Sequence, residues 1–298
     1  MPPMPLTHTA TFPIRFYECD VHRHVNNANY LRYMQEAAFA ASAAAGYDFA
    51  RYDALGQSWL IRETQIEFLA PLVYGDTLTI KTWVDDFRRV RSRRMYEFYK
   101  NETPAPIARA HTDWVYLETA TSRPVAIPDH LKTAFFPEGI PPSLPTQEGK
   151  RAPFPEPPPA PPGTFTATRR VEWRDIDGVG HVNNAVYLSF IEDAGIQVGI
   201  AYGWPMQRMA DAGFAIIPRQ HRIEYLQPAL LDDELEIRTW VSNGRRSTAT
   251  RHYLIHRARD GALLARVNTL YVWVSTETFS PIRIPADFWK DFGPNIVA

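Results

Sequence analysis

The 298-residue chain has very little cysteine and almost no net charge. Its single cysteine, Cys19, cannot form an internal disulfide, which excludes a disulfide-stapled scaffold and indicates a reducing compartment. A formal net charge of −1 excludes an overall field that would attract nucleic acid or an anionic membrane. No apolar run approaches the ~20 residues of a membrane-spanning helix, and residues 1–16 lack the pattern of a secretory signal. The composition predicts a soluble cytoplasmic protein that binds neither membranes nor nucleic acid.

What the chain does contain is an internal repeat with a constant offset of 157 residues. Residues 20–30 read DVHRHVNNANY, and residues 177–187 read DGVGHVNNAVY. The same offset pairs IEFLAP with IEYLQP and TWV with TWV further along, and about a third of the ungapped pairs are identical. Because such similarity without insertion is hard to obtain by chance, two copies of one domain are predicted, at residues 1–136 and 164–298.

The segment between the copies, residues 137–163, is rich in proline. Proline prevents helix and interior strand, and it favours an extended polyproline-like chain. This segment is therefore predicted to be a linker. Its role has two interpretations: a spacer that lets the two copies pair side by side, or a tether with no geometric role.

Each copy shows the same order of predicted elements. A short strand at residues 11–17, or 167–173 in the second copy, leads into the polar string. A long helix follows at residues 28–46 and 185–203; each helix ends on a glycine suited to a C-cap. The second helix is apolar on most faces and is expected to be buried. Alternating apolar and polar residues then predict half-buried antiparallel strands, so each copy should be an α+β domain with one helix covering one sheet.

The asparagine pair in each polar string stands directly before the predicted helix. Asn26 or Asn27, and Asn183 or Asn184, are therefore suited to the N-cap position. First-turn backbone N–H groups would remain free there, with the positive end of the helix dipole behind them. Such a site can polarise a carbonyl and hold the oxyanion that forms on it.

An aspartate and a histidine precede each asparagine pair. Asp20 and Asp177 can act as nucleophile or general base toward a carbonyl carbon. His24 and His181 can orient the aspartate, a water molecule or the substrate. Together with the helix end, these groups supply the minimum set for acyl transfer to water.

Each of these residues also has a structural interpretation, as a turn-forming aspartate or an ordinary loop histidine. The joint recurrence of Asp, His, Val, Asn, Asn and Tyr amid diverged neighbours favours the functional one. Cys19 corresponds to Ile176, and His22 corresponds to Val179, so neither belongs to the shared set. Cys19 is interpreted as a small buried hydrophobic residue. No cluster has metal-ligand spacing in both copies, and no metal site is predicted.

The strings ECDVHRHVNNANYLRYMQEA and DIDGVGHVNNAVYLSFIEDAG resemble the helix-entry signature of hotdog-fold thioesterases. The most similar types are the 4-hydroxybenzoyl-CoA thioesterase-like and acyl-ACP thioesterase-like groups, and the resemblance covers both halves of the chain. It implies a tandem double hotdog, in which a curved antiparallel sheet wraps a long central helix. It also implies active sites formed where two hotdogs pair, within the chain, with further homo-oligomerisation left open.

The same resemblance implies that the two aspartates serve as base or nucleophile, that a helix-end amide binds the thioester oxygen, and that the two motif histidines support them. The motif tyrosines, Tyr30 and Tyr187, are predicted to contribute to substrate binding together with the asparagine pairs. The family often has an acidic residue five positions after this tyrosine. The second copy has Glu192 there, which is predicted to contribute to substrate binding, but the first has Gln35. The site of Asp177 is therefore predicted to be the stronger of the two.

Arginines cluster at predicted strand turns, in RRVRSRR (88–94) and GRRSTATR (244–251). Arg89 and Arg246 are candidates to bind the phosphates of CoA or the acidic surface of a carrier protein. A basic hairpin rim can equally be solvated edge protection. The pattern alone leaves both interpretations open.

Residues and resemblance together predict an acyl-thioester hydrolase, with acyl-CoA the first choice of substrate and an acyl-carrier-protein thioester the second. Water is the other substrate, so no cofactor is expected beyond the CoA of the substrate itself. Two alternatives stay open. One is a hotdog dehydratase or hydratase, which also sets a histidine and a carboxylate around a helix end. The other is a non-catalytic acyl-thioester-binding module.

Overall fold

The computed structural model describes residues 4–139 and 153–297. The chain divides into two compact units, Met1–Pro153 and Phe154–Ala298. Each unit holds one copy of the repeat and combines one long helix with an antiparallel sheet. The α+β arrangement predicted for each copy is therefore confirmed.

In the N-terminal unit the antiparallel strands follow the spatial order β1-β3-β4-β5-β2, and the short β6 pairs with the end of β5. A 3-10 turn at Phe16–Glu18 separates β1 from the long helix α1. In chain order the elements are β1 (His8–Pro13), α1 (Asn27–Ala44), α2 (Phe49–Leu55), β2 (Gln57–Phe68), β3 (Thr77–Phe87), β4 (Arg91–Lys100), β5 (Ala108–Glu118), β6 (Arg123–Pro124) and α3 (Asp129–Phe135).

The C-terminal unit repeats this plan, with its strands in the order β7-β9-β10-β11-β8. 3-10 turns at Trp173–Asp175 and Gly293–Asn295 precede the long helix and end the unit. In chain order the elements are β7 (Phe165–Arg170), α4 (Val186–Ala201), α5 (Met206–Asp211), β8 (Phe214–Tyr225), β9 (Glu234–Ser242), β10 (Thr248–Arg257), β11 (Leu263–Ser275) and α6 (Ala286–Asp291). The first residues of β7 to β10 follow those of β1 to β4 with the 157-residue offset of the sequence repeat.

Each long helix packs one face against its own sheet. Along α1, Tyr30, Met34, Ala37 and Ala41 are buried at helical spacing. Along β4 the buried residues alternate with more exposed ones, as expected for a strand with one covered face. The core of each unit therefore lies between the long helix and the sheet and extends under the short helix that follows the last strand.

The helix predictions are correct in place, but the burial expected of the second helix is only partly right. The helices occupy Asn27–Ala44 and Val186–Ala201 rather than residues 28–46 and 185–203. On α4, Ile200 is 58% exposed, because the sheet covers one face of the helix and leaves the other open. Within the described residues, no helix combines the length and the apolar character needed to cross a membrane.

Both short strands end earlier than predicted. The predicted strands cover residues 11–17 and 167–173, whereas β1 ends at Pro13 and β7 ends at Arg170. Each ladder stops where its partner strand, β3 or β9, begins. The chain then turns because an acidic side chain, Glu18 in the N-terminal unit, accepts the backbone N–H three residues earlier at 2.7 Å.

The predicted linker, residues 137–163, lies partly outside the described residues, which omit 140–152. Its final part packs on the C-terminal unit. Phe154 is buried there, with the guanidinium groups of Arg222 and Arg266 over its ring at 5.2 and 4.9 Å. The role of the segment as a spacer stays a prediction.

Candidate active site

The polar string of the C-terminal unit forms a closed loop before α4. The backbone N–H of Asp177 donates to the carbonyl oxygen of His181 at 3.0 Å, and the N–H of Gly180 donates to the carbonyl of Asp177 at 3.0 Å. Gly180 has a φ of 92°, in the left-handed region that glycine adopts readily. This closure brings Oδ1 of Asp177 to 3.9 Å from Nδ1 of His181.

One asparagine connects the carboxylate of this loop to the start of the helix. Nδ2 of Asn183 donates to Oδ2 of Asp177 at 3.4 Å, while Oδ1 of Asn183 accepts the backbone N–H of Ala185 at 2.9 Å. The other carboxylate oxygen of Asp177 accepts the N–H of Val179 at 2.9 Å. The side chains of Asp177 and His181 remain 22% and 19% exposed. The acid is thus held in one orientation and still reached by solvent.

The loop of the N-terminal unit has the same backbone frame with different side-chain contacts. The N–H of Asp20 donates to the carbonyl of His24 at 2.8 Å. Oδ1 of Asp20 accepts the N–H groups of His22 and His24 at 2.8 and 3.3 Å. Oδ1 of Asn26 accepts the N–H of Ala28 at 2.9 Å, the counterpart of the Asn183 contact.

The N-cap prediction is correct in the first unit and wrong in the second. Asn26 is the N-cap of α1. In the second unit the N-cap of α4 is Ala185 rather than Asn183 or Asn184, and the helix begins with a three-residue bond from the N–H of Leu188 to the carbonyl of Ala185 at 3.1 Å. The asparagine side chain makes the same hydrogen bond in both units, so the local anchor is retained.

A backbone N–H group is available at the start of α4. Within residues 153–297, the N–H of Asn184 makes no hydrogen bond, whereas the N–H of the next residue is taken by Asn183. The carbonyl of Asn184 accepts the hydroxyl of Tyr225 at 3.0 Å, which fixes the peptide. The positive end of the helix lies behind this group, so it can donate to a carbonyl oxygen.

The two motif tyrosines lie in the core. The hydroxyl of Tyr187 accepts the N–H of Ala229 at 3.2 Å, and burial raises the pKa of Tyr187 to about 12. Burial also raises the pKa of Tyr30, whose ring contacts Phe68 and Phe98 at 5.1 and 5.7 Å. These contacts anchor the helices, and the substrate-binding role of the two tyrosines stays a prediction.

Glu192 lies on α4, about 7 Å along the helix axis from Tyr187. It is half-buried, and its charge acts on the buried hydroxyls of Tyr253 and Tyr271, which are 3.1 Å apart. Its place is therefore on the helix face toward the sheet, and a role in substrate binding stays a prediction.

The hairpin arginines are exposed and stand apart from the loop of their own unit. Arg89 lies in the turn after β3. The Asp20 loop meets the chain just before β3, where His24 bridges to Val73. The intervening strand is roughly 30 Å long, so one unit alone does not bring Arg89 to Asp20. Arg246 occupies the matching turn after β9, and phosphate binding by both arginines stays a prediction.

Cys19 is half-buried rather than buried. Loss of solvation raises the pKa of its thiol, which disfavours the nucleophilic thiolate. His22 is exposed. Both observations agree with leaving these residues out of the candidate site.

Sequence reasoning missed the polar groups beneath the loops. The buried carboxylate of Glu18 accepts the N–H of Arg15 at 2.7 Å, and that of Asp175 accepts the N–H of Glu172 at 2.9 Å. Glu18 and Asp175 are related by the repeat offset, so their shared acidic character was the available signal. No group of three or more His, Cys, Asp or Glu side chains in the described ranges could hold a metal ion.

Comparison with known protein families shows that the same family profile matches both units. The profile of the thioesterase-like superfamily matches residues 14–135 and 171–292. A palmitoyl-acyl carrier protein thioesterase of Cuphea hookeriana is 25% identical over 194 residues, which are 60% of this chain and 45% of that protein. The acyl-CoA thioester hydrolase YbgC of Escherichia coli is 29% identical over 123 residues, 41% of this chain and 91% of that protein.

The fold is similar to that of a 12:0-ACP thioesterase from Umbellularia californica, with a TM-score of 0.68 at 20% identity over 91% of this chain and 98% of the other. The aligned region covers less than half of the length of the Cuphea hookeriana protein. The duplicated profile match and the two helix-on-sheet units establish that this chain is a tandem double-hotdog member of the thioesterase-like superfamily.

Proposed function

We propose that the chain hydrolyses acyl thioesters and that the loop of the C-terminal unit is its principal site. One observation carries the proposal: Asn183 hydrogen-bonds both to Asp177 and to the start of α4, beside the Asn184 N–H, which makes no hydrogen bond among residues 153–297. A positioned carboxylate beside an available backbone donor is the arrangement that addition to a carbonyl requires.

In the proposed reaction the thioester oxygen accepts the N–H of Asn184, which with the helix dipole stabilises the negative charge that develops on it. The carboxylate of Asp177 takes a proton from the attacking water. Alternatively it attacks the carbonyl carbon itself, and water then hydrolyses the mixed anhydride. The C–S bond breaks, and the products are a carboxylic acid and a free thiol. His181, at 3.9 Å, orients the carboxylate or the water.

CoA is proposed as the thiol carrier, and a carrier protein is the alternative. Relatives of this chain include proteins named for each carrier. The exposed Arg89 and Arg246 are the proposed contacts for CoA phosphates, since guanidinium groups bind phosphate in a bidentate manner.

The test is release of free thiol from matched panels of acyl-CoA and acyl-carrier-protein thioesters, with the Asp20→Asn/Asp177→Asn double variant as the control. Thiol release by the unaltered chain and its loss in the double variant is the expected result. Formation of a double bond without thiol would point instead to a dehydratase or hydratase. Tight binding of acyl thioesters with no turnover would point to a binding module, and either outcome rejects hydrolysis.

A further inference from the structure

Each unit buries an arginine that the proposed hydrolysis does not use. Arg94 on β4 and Arg251 on β10 are related by the repeat offset and are 6% and 8% exposed. Both occupy inward-facing positions of their strands, between buried neighbours such as Tyr96 and Tyr253 two residues further on. A buried guanidinium is strongly destabilising unless it is paired and hydrogen-bonded. The surroundings of the two arginines differ.

In the N-terminal unit Arg94 has few partners. Nη1 donates to Oγ1 of Thr82 at the long distance of 3.4 Å, and the guanidinium lies 5.4 Å from the ring centre of Phe135. Among residues 4–139, no carboxylate forms an ion pair with it. The titratable groups that sense its charge are His8 on β1, Tyr52 on α2 and Tyr96 on β4.

In the C-terminal unit an amide side chain pairs with the equivalent arginine. Nη1 of Arg251 donates to Oγ1 of Thr239 at 3.3 Å and to Oδ1 of Asn295 at 3.2 Å. Asn295 is fully buried, and its Nδ2 donates to the carbonyls of Gly163 and Thr239 at 2.9 Å each. The repeat position of Asn295 in the first unit is Glu138, which is exposed. Arg251 therefore has a built-in oxygen acceptor that Arg94 lacks.

The remaining donors of Arg94 define the chemistry that would complete the site. A guanidinium carries five N–H donors and has no acceptor. Only one hydrogen bond of the Arg94 guanidinium, the long one to Thr82, is formed within the described residues. The phenol of Tyr52, which accepts Nε1 of Trp59 at 3.0 Å and shares a hydrogen bond with Ser42 at 3.1 Å, lies on the same side of the unit. A planar carboxylate matches the guanidinium fork, and a nearby hydroxyl can donate to it.

We propose that Arg94 binds a carboxylate at the far end of the acyl chain, so that the favoured substrates are thioesters of dicarboxylic acids. This rests on the proposed thioester hydrolysis, here at the Asp20 loop of the same unit, which is the weaker of the two proposed sites. Thr82, which holds Arg94, is five residues into β3 from the end beside the Asp20 loop, a distance of about 17 Å along the strand. The acyl chain of a substrate whose thioester lies at the start of α1 would have to span about this distance to place its far end at the guanidinium of Arg94.

The experiment compares matched pairs of acyl-CoA substrates of equal chain length, one ending in a methyl group and one in a carboxylate, over a series of lengths. The comparison is made in the Asp177→Asn background, which leaves turnover to the Asp20 loop, and there the carboxylate-ended member should be preferred at its best length by at least about tenfold in kcat/KM. This preference should fall about tenfold in Arg94→Met and partly in Arg94→Lys, which keeps the charge but loses the fork. Arg251→Met is the matched control and should retain the preference.

A second measurement is independent of turnover and of the variants' folding. Over the same series of lengths, free dicarboxylic acids should at their best length raise the melting temperature of the unaltered chain more than the corresponding monocarboxylic acids do. Hydrolysis without any preference for the carboxylate end would reject the role of Arg94 and leave the hydrolase standing. Absence of thiol release together with dicarboxylate-specific stabilisation would reject the hydrolase and keep the arginine site. A preference that Arg251→Met abolishes and Arg94→Met retains would also reject the assignment.

Discussion

Asn183 holds Asp177 and the start of α4 in one hydrogen-bonded unit. Its amide nitrogen lies 3.4 Å from Oδ2 of Asp177, and its amide oxygen lies 2.9 Å from the backbone nitrogen of Ala185. The carboxylate and the helix-end N–H groups are the two partners that the proposed reaction needs. A single short side chain therefore links the two, so a change at this residue should affect both stability and catalysis.

Replacing Asn183 with alanine should weaken both the helix start and the orientation of the acid. Loss of the hydrogen bond to Ala185 should lower the free energy of unfolding by about 1 kcal/mol. Asn26→Ala is the matched control, because Asn26 makes the same bond at the same distance in the other unit. Denaturant unfolding should give similar losses for the two variants, and kcat should fall about tenfold further in Asn183→Ala. Equal effects on kcat would contradict the link to Asp177.

The two aspartates should not contribute equally. Asp177 faces His181 and the amide of Asn183, whereas Oδ1 of Asp20 accepts two backbone N–H groups, those of His22 and His24. Asp177→Asn should therefore lower kcat by a factor of about 10² to 10⁴, the range typical of removing a general base. Asp20→Asn should have a smaller effect. Steady-state kinetics on each single variant, with unchanged melting temperatures as the folding control, tests this; a loss confined to Asp20→Asn would reverse the ranking.

The repeat made much of the fold and the loop predictable. Comparison of the two copies distinguished Asp20, His24 and Asn26, which recur in the second copy, from Cys19 and His22, which do not. Strand ends were predicted less well, since β1 stops where its partner β3 begins and not where its own residues change character.

Long-range packing explains what else the sequence did not reveal. In the sequence Arg94 belongs to a basic segment that is typical of an exposed hairpin. In the structure it lies on the buried face of β4, the face that also carries Tyr96 and Phe98. Ile200 reads as buried, yet it lies on the helix face that the sheet leaves open. Both outcomes depend on which face of an element is covered, and composition along the chain does not determine that.

One loop position adopts left-handed backbone geometry in both units but carries different residues. Gly180 has a φ of 92°, and its repeat counterpart Arg23 has a φ of 63°. Such geometry disfavours a residue with a Cβ by about 1 kcal/mol. Gly180→Ala should therefore destabilise the chain by about that amount, since a Cβ there meets no neighbouring atom and strain alone acts.

The reciprocal change, Arg23→Gly, should leave stability unchanged or raise it by up to about 1 kcal/mol, because relief of strain is offset by the entropy of glycine in the unfolded chain. Denaturant unfolding of both variants measures the pair. A destabilised Arg23→Gly together with a neutral Gly180→Ala would show that the side chain of Arg23, and not its backbone conformation, determines stability at this position.

Acid sensitivity should depend on His221, a residue buried in β8 to 1% exposure. Its Nδ1 lies 2.9 Å from Oγ1 of Thr269, and burial lowers its pKa to about 3 from an ordinary 6.5. The folded chain therefore keeps this imidazole neutral where the unfolded chain is protonated. The stabilising contribution is fully present above pH 6.5 and is lost as the pH falls toward 3. The free energy of unfolding should therefore fall by about 2.5 kcal/mol between pH 7 and pH 4.5 from this residue.

His221→Gln should remove this loss, so its unfolding free energy should fall less steeply with acid than that of the unaltered chain. The repeat counterpart of His221 is Thr64, which is also buried, so this sheet position accepts a neutral side chain. Urea unfolding at a series of pH values gives the slope, and His22→Gln, at an exposed loop position, is the control that should leave it unchanged. If His221→Gln and the unaltered chain lose stability in parallel down to pH 4.5, the acid sensitivity must come from other groups, because a neutral buried imidazole necessarily adds to the slope in this range.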